Sequence, residues 1–220
     1  TSKWGVKGFA YSPKKHLKTY DHPVFECNSR CQCSPTCRNK VIYHEPHASV
    51  EIRRVEGKGW CVFNGPGPIE AGVPVGFLAG EMVTRQEGED RASRSQNRNG
   101  DCYIFDIDFW YLQGTHHSNA GEFTRFLSHS CDPNVRAVGV YVNERSMRKP
   151  IISFFARRKI RAGEELSISY IDERASTTTD AGQSDEASPH TMLAMACKCG
   201  SVQCRGMPSM SPRRCKSHFP

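Results

Sequence analysis

A mainly β fold is what this sequence predicts, on three observations. Short apolar runs recur along the chain, bounded by glycine, proline, asparagine and aspartate, which is how strands and turns are written. The cleanest, CYIFDIDFWYL from Cys102 to Leu112, alternates Phe105, Ile107 and Phe109 with Ile104, Asp106 and Asp108, the period of a strand with one apolar face. Cysteines gather in two segments, Cys27 to Cys37 and Cys197 to Cys204. The first of these is too poor in apolar residues to fold without a metal.

The composition sets the bounds. A chain of 220 residues is one large or two small domains, long enough for a real core. With 37% hydrophobic residues and a mean hydropathy of −0.59 it reads as a polar globular protein. No apolar run approaches the roughly 18 residues of a membrane span, and the first residues lack the apolar stretch of a secretory signal. Cys-x-Cys neighbours among the eleven cysteines suit metal ligands better than separate disulfide ends. The net charge of +7 suggests an anionic neighbour, nucleic acid being one possibility. Its lysines and arginines are scattered, however, with no block longer than Arg157-Arg158-Lys159, as on an ordinary solvated surface.

Taken in order, residues 1–26 mix aromatic and basic side chains without a period and are expected to pack irregularly on something else. Cys27-x3-Cys31-x-Cys33-x3-Cys37 follows, with Ser34-Pro35 as a turn, and reads as a zinc loop. SVEIRRV, from Ser49 to Val55, is strand-like and ends at the turn Glu56-Gly57-Lys58-Gly59. The glycines flanking Lys58 permit close approach of a ligand to the backbone, although such a pair also suits a plain hairpin. Trp60 to Phe63 is a short buried strand, and Val73 to Val83 reads as another. A short helix and a mobile loop fill the polar stretch up to Asn99-Gly100. After the Cys102–Leu112 strand, whose acidic, aromatic-lined edge is either merely half-exposed or receives a basic extended peptide, VRAVGVYVNE and KPIISFFA pair as a hairpin. Glu164 to Tyr170 is the last strand. The Ser/Thr/Asp-rich stretch after it is a linker, and residues 207–220 read as frayed.

The segment Thr124 to Val135, TRFLSHSCDPNV, organises the rest. It carries Ser128, His129, Ser130 and Cys131 into an Asp132-Pro133-Asn134 turn. A histidine two residues from a cysteine is a ligand pair, a nucleophile pair, or a buried thiol beside a packed ring. The tail tips the balance, because Cys197-x-Cys199-x4-Cys204 is one donor short of a tetrahedral zinc site. Cys131 can supply it, pinning the tail over His129.

Seven motifs in order, PVFECNSRCQCSPTCRNKV, GKGWCV, the residues before Gly80-Glu81, YIFDID, RFLSHSCDPNV, FFARRKIRAGEEL with Tyr170, and CKCGSVQCRG, resemble a SET-domain histone lysine methyltransferase of the suppressor-of-variegation type, the branch acting on histone H3 lysine 9. The resemblance implies a SET-domain fold with a pseudoknot, the segment around 124–134 being threaded beneath the last strand. It divides the chain into a partial, zinc-binding pre-SET segment at 1–45, a SET domain at 46–173, a flexible linker at 174–195, a post-SET segment at 196–207 and a tail at 208–220. S-adenosylmethionine is the implied cofactor, contacted by Lys58, Gly59, Trp60, Tyr103, Ser128 and His129. Tyr170, Tyr103 and His129 take the catalytic places. Cys131, Cys197, Cys199 and Cys204 match the post-SET zinc site, and Cys27, Cys31, Cys33 and Cys37 the last four of the pre-SET cysteines. Asp106, Asp108, Leu78 and Ile168 face the substrate. The implied partners are a histone H3 tail and chromatin, in the nucleus, with no membrane and no need for direct nucleic-acid contact.

Several positions depart from the family's pattern. Leu78 replaces a channel tyrosine, Ser128 replaces an asparagine, and Ile168 replaces the aromatic that sets how many methyls fit. The family's first five pre-SET cysteines are not in this sequence. An active methyltransferase is therefore set against a SET-fold module that binds peptide or cofactor without turnover. A zinc module binding nucleic acid, with steeply salt-dependent affinity, is the third reading.

Overall fold

The computed structural model describes residues 8–44, 48–84, 86–88, 90–91, 94, 104–107, 115–119, 123–142, 150–170, 197–206 and 215–217. Its strands are β1 (Val24–Phe25), β2 (Val50–Val55), β3 (Gly59–Asn64), β4 (Pro74–Phe77), β5 (Gly80–Thr84) and β6 (Ile104–Ile107). They continue with β7 (Thr115–Asn119), β8 (Ser128–His129), β9 (Val135–Tyr141), β10 (Ile151–Ala156), β11 (Glu165–Ile168) and β12 (Cys215–Ser217). The described residues are thus mainly β, in three sheets of four strands each.

The first sheet, ordered β1-β9-β10-β4, is covered on both faces. Its centre is the expected hairpin pair, antiparallel from Ile151 opposite Val140 to Ala156 opposite Val135. Because neighbouring side chains on a strand point to opposite faces, Phe154 and Phe155 enter different cores. Phe154 joins Val62, Leu78, Leu127, Leu166 and Ile168. Phe155 joins Tyr11, Leu17, Val24, Val41 and Ile42. The irregular N-terminal segment, from residue 8 onward, is expected to pack on something else, and that something is the back of this sheet. Glu26, 7% exposed, ties it down: its Oε1 accepts from the Tyr11 hydroxyl at 2.7 Å and from the backbone N–H groups of Val41 and Ile42 at 3.1 Å each. Burial pushes that carboxyl above the usual range, the hydrogen bonds opposing it.

The second sheet, β2-β3-β11-β8, carries the topology that matters. β2 and β3 form a hairpin whose turn glycines, Gly57 and Gly59, sit at φ 74° and 90°, a region that disfavours a Cβ. β8 pairs parallel with β11, Ser128 opposite Ser167 and His129 opposite Ile168. The Ser130 N–H then donates to the Ile168 carbonyl at 2.9 Å. This laying of the 124–134 segment against the last strand is the expected pseudoknot.

The third sheet, β12-β6-β7-β5, is antiparallel except for the β12–β6 pair. It corrects two expectations. The stretch Val73 to Val83 is not one strand: β4 pairs with β10 in the first sheet and β5 with β7 in the third. The chain turns at Leu78, whose N–H donates to the Ile152 carbonyl at 2.7 Å while the side chain is buried. Residues 215–217, read as part of a frayed tail, form β12. The expected short helix is represented by helical residues at 86–88, 90–91 and 94. Among the described residues no helix is long and apolar enough to cross a membrane.

Candidate active site

A short 3-10 turn, Phe123–Phe126, delivers the chain into β8. It then bends at Ser130, whose hydroxyl accepts the Asp132 N–H at 3.1 Å, a local turn of the kind serine favours. Asn134 closes the bend. It is 2% exposed, and its Oδ1 accepts the Ser167 N–H at 2.9 Å. Its Nδ2 donates to the Glu165 carbonyl at 2.8 Å and to Glu164 Oε1 at 3.0 Å. One amide side chain thus fastens the threaded segment to β11.

The threading brings Tyr170 over His129. The Tyr170 hydroxyl donates to the Leu127 carbonyl at 2.6 Å, and its backbone N–H donates to His129 Nδ1 at 3.1 Å. Their rings lie 5.4 Å apart between centroids. Since Nδ1 accepts, the neutral imidazole carries its proton on Nε2, which lies 3.6 Å from Cys131 Sγ. Burial, with the Arg205 charge adding to it, holds the His129 pKa below the ordinary value. The ring stays neutral and bridges the tyrosine to the cysteine.

On the other side of β8, Lys58 Nζ lies 2.8 Å and 2.9 Å from the two Glu165 carboxylate oxygens, and the Ser128 hydroxyl donates to Glu165 Oε1. Burial alone would raise the Glu165 carboxyl, but Lys58 and Ser128 outweigh it and hold it low. The neighbouring Cys61 thiol is pushed up to about 11 by burial and by that carboxylate. Lys58 and Glu165 border a cavity of about 570 Å³ whose wall also includes His129, Asn134, Arg158 and Gln203. Its size is in the range of roughly 300–1,000 Å³ typical of small-molecule sites. Gly59 and Trp60 lead away from Lys58 along β3, with Trp60 57% exposed.

The four sulfur atoms of Cys131, Cys197, Cys199 and Cys204 all lie within 4.8 Å of one another, and Cys131 and Cys197 are 3.8 Å apart. Thiolates at about 2.3 Å from a tetrahedral zinc stand roughly 3.8 Å from each other. The donor set therefore fits zinc. Burial pushes the Cys197 thiol up to about 12, whereas at Cys199 the backbone N–H groups of Cys131 and Ser201 outweigh burial and bring it down to about 6. In the N-terminal loop Cys27, Cys33 and Cys37 converge in the same way. Cys31 is exposed, with its thiol 3.8 Å from the Asn28 side chain. Three thiols leave a tetrahedral ion one donor short.

The SET-domain family model matches residues 59–171, half of the chain. The chain is a SET-domain protein. Among curated relatives it is similar to the histone-lysine N-methyltransferase SUV39H2 of Xenopus tropicalis, at 35% identity over 201 residues, covering 90% of this chain and 49% of that protein. The chain thus spans about half the length of the curated relatives it matches, which are of the suppressor-of-variegation type. Among solved structures it resembles the methyltransferase domain of human SETMAR, with a TM-score of 0.72 and 27% identity, covering 93% of this chain and 74% of that one. It also resembles KRYPTONITE in complex with mCHH DNA, an H3(1-15) peptide and SAH, with a TM-score of 0.66 and 27% identity, covering 90% and 38%.

Within this SET domain, the residues singled out by sequence fall into three groups. Lys58 and His129 line one cavity, Ser128 joins Lys58 on the Glu165 carboxylate, and Cys131 and Tyr170 both contact His129. Leu78 and Ile168, 3% and 4% exposed, share the core cluster against which Tyr170 packs. Tyr103 and Asp108 lie outside the described residues, and Asp106 is placed by its backbone alone, in β6. Sequence reasoning missed Glu165 and Asn134. Both look like ordinary polar residues of a strand and a turn, and only the β8–β11 pairing turns them inward.

Proposed function

We propose that this SET domain transfers methyl groups from S-adenosylmethionine to the side chain of a lysine of histone H3, lysine 9, within nuclear chromatin. The observation that carries the reading is the placement of Tyr170. Its hydroxyl is tethered to the Leu127 carbonyl and its backbone to His129, a residue of the polar cavity's wall, and its ring packs on an apolar core. Relatives of similar sequence bear the name histone-lysine N-methyltransferase, and one structural neighbour holds both an H3 peptide and SAH.

S-adenosylmethionine, when bound, supplies the methyl group and a sulfonium leaving group. Lys58, His129 and Glu165 are the residues here that would hold it, in a cavity of suitable volume whose wall offers both charges, with Ser128 hydrogen-bonded to Glu165. The Tyr170 hydroxyl donates its proton to the Leu127 carbonyl, which leaves its oxygen the role of acceptor toward the incoming amine. It orients the nucleophile and takes no proton. Orientation of this kind contributes about 7–11 kcal/mol in favourable cases. The amine must arrive uncharged, from a pKa near about 10.4 in water. Leu78, Leu127 and Ile168 belong to the buried core cluster on which Tyr170 packs, apolar surroundings of the kind that disfavour the ammonium. With four sulfur donors, a zinc ion at Cys131, Cys197, Cys199 and Cys204 would be structural, fixing the 197–206 segment against the cavity. On the acceptor side, a basic extended peptide suits strand addition near Asp106 and Asp108.

Mass spectrometry of an H3 tail peptide incubated with the protein and S-adenosylmethionine tests this directly, reporting activity, position and methyl count. Methylation at lysine 9 that falls at least a hundredfold in Tyr170→Phe is expected. No transfer by the parent, or equal transfer by the variant, overturns the assignment.

A further inference from the structure

We propose that a basic face formed by residues 12–20 and the 156–161 loop docks on the phosphate backbone of duplex DNA. Lysines and arginines that look scattered along the sequence are gathered there by three hydrogen bonds. The Leu17 N–H donates to the Gly72 carbonyl at 2.8 Å, the Gly72 N–H to the Ala156 carbonyl at 2.8 Å, and the Tyr20 hydroxyl to that same Ala156 carbonyl at 2.6 Å. Gly72 permits the approach: at its φ of 82° a Cβ would lie 2.6 Å from the Leu17 carbonyl oxygen. Lys14, Lys15 and Lys18 thus come to the side of the sheet that carries Arg136, Arg157 and Lys159. Burial pushes the Tyr20 hydroxyl up, and the Arg157 and Arg136 charges are among the effects that oppose it.

Two acidic groups on this face are loosely held. Asp21 lies 3.9 Å from Arg136, and Glu70 pairs with Lys159 where both side chains are more than half exposed, an arrangement worth little in water. Among the described residues Lys14 and Lys18, both exposed, have no acidic partner. Lys15 sits at φ 61°, a left-handed backbone that favours glycine. The turn holds it there: the Lys15 N–H donates to the Ser12 carbonyl at 2.9 Å and the His16 N–H to the Ser12 hydroxyl at 3.2 Å. Backbone strain held in place by its surroundings is a feature of binding sites.

The chemistry of the face selects its occupant. Among the described residues the exposed large apolar side chains are Phe9, Phe25, Tyr43, Ile52, Trp60 and Val202, and none lies in 12–20, 69–73 or 156–161. Protein interfaces are anchored by such residues and depleted in lysine, so an acidic protein fits this face poorly. Single strands are held by bases stacked on aromatic side chains, whereas Tyr20 is half-buried with its hydroxyl engaged. Positive charge spread over lysine and arginine suits the phosphates of a duplex, contacted without regard to sequence. Arg158 and Arg161 of the same loop line the cavity described above, so the face adjoins the rim of that cavity.

Fluorescence anisotropy of the full chain with a labelled duplex of about 20 base pairs, at salt from about 50 to about 200 mM, tests this. With Lys14, Lys18, Arg157 and Lys159 on four phosphates, log affinity falls against log salt with a slope of about −3.6, a roughly 150-fold loss over that range. Lys14→Ala/Lys18→Ala should bind at least tenfold more weakly, with a slope shallower by about two. Lys15→Gly relieves the left-handed backbone and should raise the urea midpoint while weakening duplex binding at least threefold. Arg30→Ala/Arg54→Ala removes equal charge at exposed positions elsewhere and should bind as the parent does. Absence of duplex binding at the lowest salt, or an equal loss in the two double variants, overturns the proposal. A single strand of the same sequence that binds more tightly, or polyglutamate that competes at equal charge concentration, overturns the duplex assignment. Binding is read without S-adenosylmethionine, so its failure leaves the methyltransferase reading standing.

Discussion

Replacing Asn134 by alanine tests the claim that one side chain fastens the threaded segment. The substitution removes the acceptor for the Ser167 N–H and the donor to the Glu165 carbonyl. Both backbone groups lie in β11, with Ser167 only 8% exposed, so neither gains water readily. A buried backbone group left without a partner costs about 1–3 kcal/mol. The third bond, to Glu164, matters less, because that carboxylate keeps Arg158 at 2.7 Å and the Arg161 N–H at 2.9 Å. The total loss is then about 2–5 kcal/mol, a large part of the ~5–15 kcal/mol that stabilises a typical domain. Urea unfolding followed by tryptophan fluorescence measures it, as a lower midpoint with an unchanged slope. Asn134→Asp sharpens the test. It keeps the acceptor for Ser167 but sets a second carboxylate beside Glu164, and its deficit should shrink as acid protonates the new carboxyl and restores a donor. A loss below about 1 kcal/mol for Asn134→Ala, or an Asn134→Asp deficit that does not change with pH, refutes the reasoning.

Other outcomes follow from the same geometry. Cys131→Ser, or prolonged chelation, should release zinc by elemental analysis and lower methyl transfer at least tenfold, while the β signal in far-ultraviolet circular dichroism persists, since the first sheet is held by its own cores. The Glu165 carboxyl titrates below its ordinary value of 4.5 in the folded protein, so its contribution is fully present above that value and is lost as pH falls through the lower folded one; the stability gap between parent and Glu165→Gln should close over that acidic window in urea titrations. Ile168→Phe overfills a position 4% exposed and should cost about 1–3 kcal/mol, with fewer methyls on the H3 product by mass spectrometry.

Much of this was legible in the sequence, and the parts that were not share a cause. The alternation of VRAVGVY and the apolar run IISFFA marked β9 and β10 because burial on both faces leaves little freedom in composition. The missing fourth thiol was legible as arithmetic, and Cys131 lies 3.8 Å from Cys197. β7, written THHSN, escaped because its residues carry no apolar period at all; only pairing with β5 and β6 makes it a strand. The break at Leu78 escaped because an apolar run does not say where it changes sheets. Glu165 and Asn134 escaped for the reverse reason: polar side chains are presumed to face water until a parallel partner such as β8 closes over them.

The departures from the family's pattern also look different once placed. Leu78 and Ile168 each stand where an aromatic is usual, and both enter the one core cluster that contains Leu127 and flanks Tyr170. Two aromatics are thus exchanged for aliphatics in one cluster, and both aliphatic side chains are buried there. Ser128 is too short to bridge as an asparagine does, yet its hydroxyl finds Glu165, which Lys58 also holds. Among the described residues none of the three is left as a buried polar group without a partner. The features that turnover needs are elsewhere, in the path from Cys131 through His129 to the backbone of Tyr170. That path is intact, and it joins a cysteine cluster formed late in the chain to the hydroxyl expected to aim the amine. A binding module that had lost turnover would have no need to keep a neutral histidine between the two, which favours the enzyme over the inert reader.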